Sequence, residues 1–434
     1  MSILKAGSAS IVVQLGDDCF PNAESVMKHD DVYVRVLIFD AGRRYAILEA
    51  DMPSMFPSQI KYCKKLLNDV AGVAPEDSWI VVSHGFSAPH TWPLEAGEQK
   101  DTMRPKVLDE NPEYLEIAKK INQAYYDAYG EAVAGALATL REARVGFGTG
   151  TCGLNVYRNI PTADGWWEGV NWDGYVDKTL SIMRFDDLEG NPIAILYGYS
   201  MKVDIMAGMF PDVHGKVTSS DIVGVASKYV EDEYGNGCTA IFLCGATGDQ
   251  ACPLRGNYIE TDKDGKVRKG SLGLEASFGV LAAMGELFGN TIVQTAQKVQ
   301  CTDSDVEVKT SQVTYTCSCQ KRDADMGKLN PSKVFRSVPD GTRDLTIDAM
   351  VVGDIALVGV LPELDGITVA EIREQSPFAR TIVSCFVNGN SKSMPCEKAY
   401  DLITKGSQNS PFVRGSAEQT RDEAVKLLQK VKEM

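Results

Sequence analysis

"VYVRVLIFD" (32–40) is followed by the turn "AGRR", by "YAILEAD" (45–51), by "SQIKYCKKLLNDVAG" (58–72) and by "SWIVVSH" (78–84). The first two runs are rich in β-branched and aromatic residues and read as strands joined by a short turn. The third repeats apolar residues at helical spacing and stops at a glycine, which closes helices readily. The fourth is short and apolar, a buried strand. A chain that alternates strands and amphipathic helices in this way folds as an α/β protein. The expectation is a large mixed β-sheet core with surrounding helices.

The pattern persists. Residues 113–143 predict a long helix, interrupted near Gly130. "KTLSIMRFDD" and "NPIAILYGYS" flank "LEGN" as a hairpin, "SSDIVGVASKYVEDEYG" is a helix, and "TAIFLCGATGDQ" is a strand entering a Gly-rich loop. Helices are expected within 271–300, at "GITVAEIREQSP" and at 416–432. Strands are expected in "DVEVKTSQVTYTCS", "LTIDAMVVGDIALVGVL" and "RTIVSCFVNGN". The charged stretch 255–271 reads as a mobile loop. There is no repeat and no low-complexity linker, so a single domain over 1–434 is expected.

Composition narrows the partners. The net charge is -15 and the pI near 4.9, with no cluster of Lys and Arg. This argues against nucleic acid and against an anionic membrane. No signal-peptide pattern opens the sequence, and no stretch approaches the roughly 20 apolar residues of a membrane span. The eleven cysteines are scattered. Reduced thiols, a cytoplasmic location and a small-molecule substrate are expected. The spacing does not suggest a zinc knuckle, and oligomeric state is left open.

Two of the four histidines, His84 and His90, fall in "SHGFSAPHTWP" directly after the strand "SWIVV". The C-terminal ends of strands are where α/β sheets place ligands, so His84 is a candidate site residue, with a hydrogen-bonded buried imidazole as the alternative. Trp166 and Trp167 in "DGWWEGVNWDGY" are candidates for a binding wall or for packing. Arg158 is suited to clamp a carboxylate or phosphate, or to form a structural ion pair.

The order of several short elements carries a resemblance. "HDDVYVRVLIFDAG", "VVSHGFSAPH", "LNVYRN", "GNPIAILYGYSMKV", "TSSDIVG", "GATGDQACP", "VGVLPELDGITVAEIRE" and "NGNSKSMPCEKAY" stand in the order of the landmarks of the neutral/alkaline, non-lysosomal ceramidases. From residue 6 to about 400 the chain resembles the N-terminal catalytic domain of that family in a short bacterial-type form, without the immunoglobulin-like C-terminal domain. The resemblance implies an amide-cleaving hydrolase with a zinc that polarises the carbonyl and acidifies a water.

The implied ligands are the turn histidine at His84, a histidine where this chain has Lys202, a glutamate at Glu363 and a tyrosine where it has Ser393. Phe86 replaces the second histidine of the turn, a substrate-contacting group. His90, Phe86, Trp166, Trp167, Asn388 and Ser393 are the substrate-binding candidates. A protonated lysine does not ligate zinc. Either His90 or Asp204 completes a zinc site, or the metal is gone and the Lys202 ammonium polarises an oxygen as a point charge. Cys252 stands where the family has a serine before the proline and is a candidate nucleophile, activated by Lys202 or a histidine. Asp249 orients a partner or caps a helix. Three functions stay open: hydrolysis of an amide in a small soluble substrate rather than ceramide, hydrolysis of another bond such as a glycosidic one, and a non-catalytic role with a degenerate zinc site.

Overall fold

The computed structural model describes residues 3–94 and 105–434. Eight strands form the main sheet: β1 (Lys5–Val12), β2 (Tyr33–Asp40), β3 (Arg44–Ala50), β4 (Ser78–Val82), β5 (Arg141–Thr151), β6 (Thr179–Asp187), β7 (Pro192–Tyr199) and β8 (Thr239–Cys244). Their order is β8-β7-β6-β5-β1-β2-β3-β4. β2 and β3 pair antiparallel, whereas β3–β4 and β7–β8 pair parallel, so the sheet is mixed as expected. A second sheet holds β9 (Val308–Arg322), β10 (Ser337–Val352), β11 (Ile355–Val360) and β12 (Arg380–Cys385), in that order.

β2 shows why its sequence is nearly all apolar. Val34, Val36 and Ile38 enter a cluster with Tyr125 and Tyr129 of the helix α2 (Pro112–Ala138), which follows α1 (Pro57–Ala71). Leu37 and Phe39 enter another with Met350, Leu357 and Ile382 of the second sheet. A strand covered on both faces loses the alternation of a half-exposed one. The second sheet is covered in turn by α6 (Ser416–Glu433), preceded in the chain by α3 (Asp221–Tyr234), α4 (Leu274–Ala296) and α5 (Gly366–Gln375). Gly7 lets α2 lie against β1: a Cβ there would stand 2.3 Å from the Ala136 carbonyl oxygen.

Three expectations are corrected. α2 runs through Gly130, where nothing lies within 4 Å of a Cβ position, and it ends at Ala138 because "REAR" opens β5. Residues 255–271 are not an irregular loop: Asn257–Thr261 and Val267–Ser271 pair as a hairpin. α4 is long and apolar enough to cross a membrane, contrary to the reading that no stretch approaches this. Its Gly285 and Gly289 lie against Val225 and Tyr229, and Leu281, Phe288 and Ile292 are buried in the core, which accounts for its composition.

Candidate functional site

β4 ends at Val82, and His84 follows in the left-handed region, φ 57°. That conformation is unusual for a residue with a Cβ and marks a constrained position. Nδ1 lies 2.6 Å from the Pro53 carbonyl oxygen, which can only accept, so Nδ1 carries the proton and Nε2 keeps its lone pair. The ring stacks on Phe386 at 3.9 Å and meets Phe86 edge-on at 4.8 Å. Burial, aided by Lys202 and Arg158 and opposed by Glu363, lowers its pKa to about 4. The imidazole is therefore neutral at pH 7.

Lys202 follows β7. Its backbone N–H donates to the Gln250 carbonyl at 3.0 Å, and Nζ stands 3.8 Å from Glu363 Oε1 and 4.8 Å from the centre of the Phe86 ring. Burial, then Arg158, pulls its pKa down; Glu363 opposes. Glu363 opens the short strand Glu363–Leu364. Burial would raise its pKa, but Lys202, Arg158 and His84 outweigh burial and hold it at about 2, and Thr247 Oγ1 donates to it at 3.0 Å. Arg158, in the hairpin strand Val156–Thr162, donates through Nε to Gly248 O at 2.7 Å and pairs with Glu168 at 3.4 Å. Glu168 also takes Lys405 at 2.5 Å. His84, Lys202 and Glu363 thus meet beyond the C-terminal ends of β4, β7 and β11, with Arg158 beside them.

Cys252 does not join them. It is fully buried, and burial pushes its thiol far up, with Asp204 and Asp221 adding to the shift. A nucleophilic thiolate needs a nearby cation and access, and the environment supplies the reverse. His90 is also elsewhere: Nδ1 lies 2.6 Å from Glu24 Oε1 and the ring stacks on Trp92 at 4.4 Å. Asn388 brackets β4, donating its N–H to Ile80 O at 2.8 Å and accepting Ile80 N–H through Oδ1 at 3.0 Å. Asp249 accepts from Gly366 N at 2.7 Å and Gln250 Nε2 at 2.8 Å, which seats the start of α5; burial pushes its carboxyl up to about 6.

Other candidates stay near the site. Phe86 is its half-open wall, 40% exposed. Ser393 pairs with Glu363 in parallel register, and its buried Oγ has no hydrogen-bond partner. Trp167 lies under Lys405 at 5.6 Å. Trp166 and Asp249 line a cavity of about 1440 Å³, which His84, Lys202 and Glu363 do not line. Sequence reasoning missed Thr247, Glu168, Lys405 and Phe386. Glu168 carried a signal, a carboxylate inside "GWWEGV". Lys405 lies 237 residues from it, and no local pattern announces such a pair.

The donor set does not fit a resident zinc. His84 and Glu363 are the two ligand-capable groups of the constellation, and two cations stand against them. His90 is engaged by Glu24, and Asp204 pairs through Oδ2 with Arg255 at 3.1 Å while its buried Oδ1 has no hydrogen-bond partner. Among the described residues no group of three or more His, Cys, Asp and Glu side chains is arranged to hold a metal.

No protein-family model and no curated protein matches the chain in sequence. Solved structures do match. A ceramidase complexed with C2 superposes over 100% of this chain and 76% of its own length, with TM-score 0.71 and 14% identity. The chain has the ceramidase fold. Neutral ceramidase from Pseudomonas aeruginosa matches with TM-score 0.70 and 14% identity over 99% of this chain and 75% of that one. Both superpositions span the residues, 6 to about 400, over which the sequence resembles that family.

One consequence can be measured without a substrate. Unfolded, His84 binds a proton below its ordinary pKa of 6.5; folded, it binds one only near 4. Between these values protons favour the unfolded chain, so stability falls as the pH drops from 6.5 toward 4. His84→Gln removes this term. Thermal unfolding at several pH values is expected to show the wild type losing Tm toward acid faster than the variant. Parallel curves would refute the buried neutral histidine.

Proposed function

We propose that this protein is a hydrolase of ceramidase type that cleaves an amide bond in a small soluble substrate other than ceramide, without a metal. The observation that carries the proposal is the Lys202 ammonium, 3.8 Å from Glu363 and close enough to Arg158 for each to act on the other's neighbours. In a partly desolvated cleft a fixed cation stabilises a developing oxyanion more strongly than in water. Glu363, ionised at neutral pH, opposes the fall that burial and Arg158 impose on the Lys202 pKa. Neutral His84 offers Nε2 as an acceptor for the attacking water. With a pKa near 4 it orients that water better than it deprotonates it. The same cation would serve hydrolysis of another bond, and Trp166 at the large cavity keeps a glycosidic substrate as the second reading.

The test is a panel of N-acyl and glycosyl compounds, assayed on untagged protein with and without a strong chelator. Amide turnover unaffected by chelation is expected. Turnover abolished by the chelator and restored by zinc would reject the metal-free site, and turnover of glycosides alone would reject the amide. Cys252→Ala is expected to retain turnover within about threefold, since a covalent nucleophile would cost orders of magnitude.

A further inference from the structure

We propose that a second cavity, of about 1000 Å³ between α1 and the turn 388–392, binds a soluble amphiphilic anion: a phosphate, sulfate or carboxylate head on an apolar body. Lys61, Lys64, Lys65, Arg343 and Lys392 line it, and among the described residues no Asp or Glu does. In a chain with 59 acidic and 44 basic residues, this is a local reversal of charge. Lys65 pairs with Asp69, and the Lys64 ammonium rests on the Pro75 carbonyl oxygen at 2.9 Å. Among the described residues, the side chains of Lys61, Arg343 and Lys392 have no ion pair or hydrogen bond.

Beside neutral polar residues such as Ser54, Asn68 and Asn390, the lining has an apolar part. Met55, Phe56, Ile60, Trp92 and Leu361 face the same space, with the Phe56 and Trp92 rings 5.8 Å apart. Cations beside an aromatic and aliphatic floor match a ligand with one anionic end and one apolar end. The volume suits a small molecule. A soluble ligand fits better than a bilayer, because the net charge of -15 repels anionic lipid at long range. None of His84, Lys202, Arg158 and Glu363 lines this cavity, so the proposal stands apart from the hydrolase reading.

Octyl phosphate below its micelle concentration is the probe, titrated calorimetrically into the full-length protein. Octyl glucoside, octyltrimethylammonium, inorganic phosphate and phosphatidylglycerol vesicles are the comparisons. Octyl phosphate is expected to bind at least about tenfold tighter than the other small molecules and to weaken with salt. Lys61→Glu with Lys392→Glu should weaken it by about tenfold or more with Tm unchanged; the Gln pair should give a smaller loss. Trp172→Ala, in the other cavity, should change nothing. Equal affinity for octyl glucoside, insensitivity to the charge reversals, loss on Trp172→Ala, or binding to vesicles but not to the monomeric probe would each overturn the proposal.

Discussion

Lys202→Met is expected to cut turnover by about a hundredfold or more while the protein stays folded, as for loss of one oxyanion donor. Methionine keeps most of the stem's volume and removes the ammonium that lies over the Phe86 ring. Glu363 keeps Arg158 as a neighbouring cation and Thr247 as a hydrogen-bond donor, so no bare buried carboxylate is left to unfold the site. The substitution has a second readout that needs no substrate. Lys202 helps to hold the His84 pKa down near 4, so its removal should move that titration upward. With four histidines in the chain, NMR can follow each one. Unchanged turnover on the best substrate would make Lys202 a bystander, and an unmoved His84 titration would break the electrostatic link between them.

Arg35→Met is expected to be the most destabilising single change, by about 3–5 kcal/mol, as when one partner of a buried ion pair is removed. Arg35 is fully buried on β2, with Nε 2.9 Å from Glu231 and Nη1 3.3 Å from both Glu49 and Asp51. Burial already lifts Glu49 to about 8 and Asp51 to about 6, with Arg35 opposing. Groups with raised folded pKa values lend stability at low pH and lose it as the pH climbs through those values. Without Arg35 the values rise further, so the variant's deficit should grow from pH 5 to pH 8. Urea unfolding at the two pH values measures this. Glu231→Gln in the Arg35→Met background should recover part of the loss. A deficit under about 1 kcal/mol at pH 8 would show that the carboxylates find other compensation.

Much of the site's placement was legible. His84, Lys202 and Glu363 each end or follow an apolar run, and strand ends in a mixed sheet converge. Glu363 beside Ser393 was legible only as a pair of landmarks; the parallel register that joins them is a tertiary fact. The electrostatics were less legible. "GATGDQACP" offered Cys252 as a nucleophile because it stands where the resembled family has a serine before the proline, but a sequence does not report how deeply a side chain is buried. His90 looked like a second ligand because it lies six residues from His84, yet Glu24, 66 residues away, holds it.

Local patterning alone was enough for the α/β class, for most strands and helices, and for the two antiparallel hairpins at 33–50 and 179–199. Periodicity and turn chemistry act over a few residues, within reach of reading along the chain. Charge state, burial and pairing act through space. Glu168 with Lys405 and Lys202 with Glu363 depend on how the fold brings distant segments within about 4 Å, where Coulomb interactions outside water become strong. That is why the chain announced which side chains were unusual, while the folded protein alone decided which of them share a site.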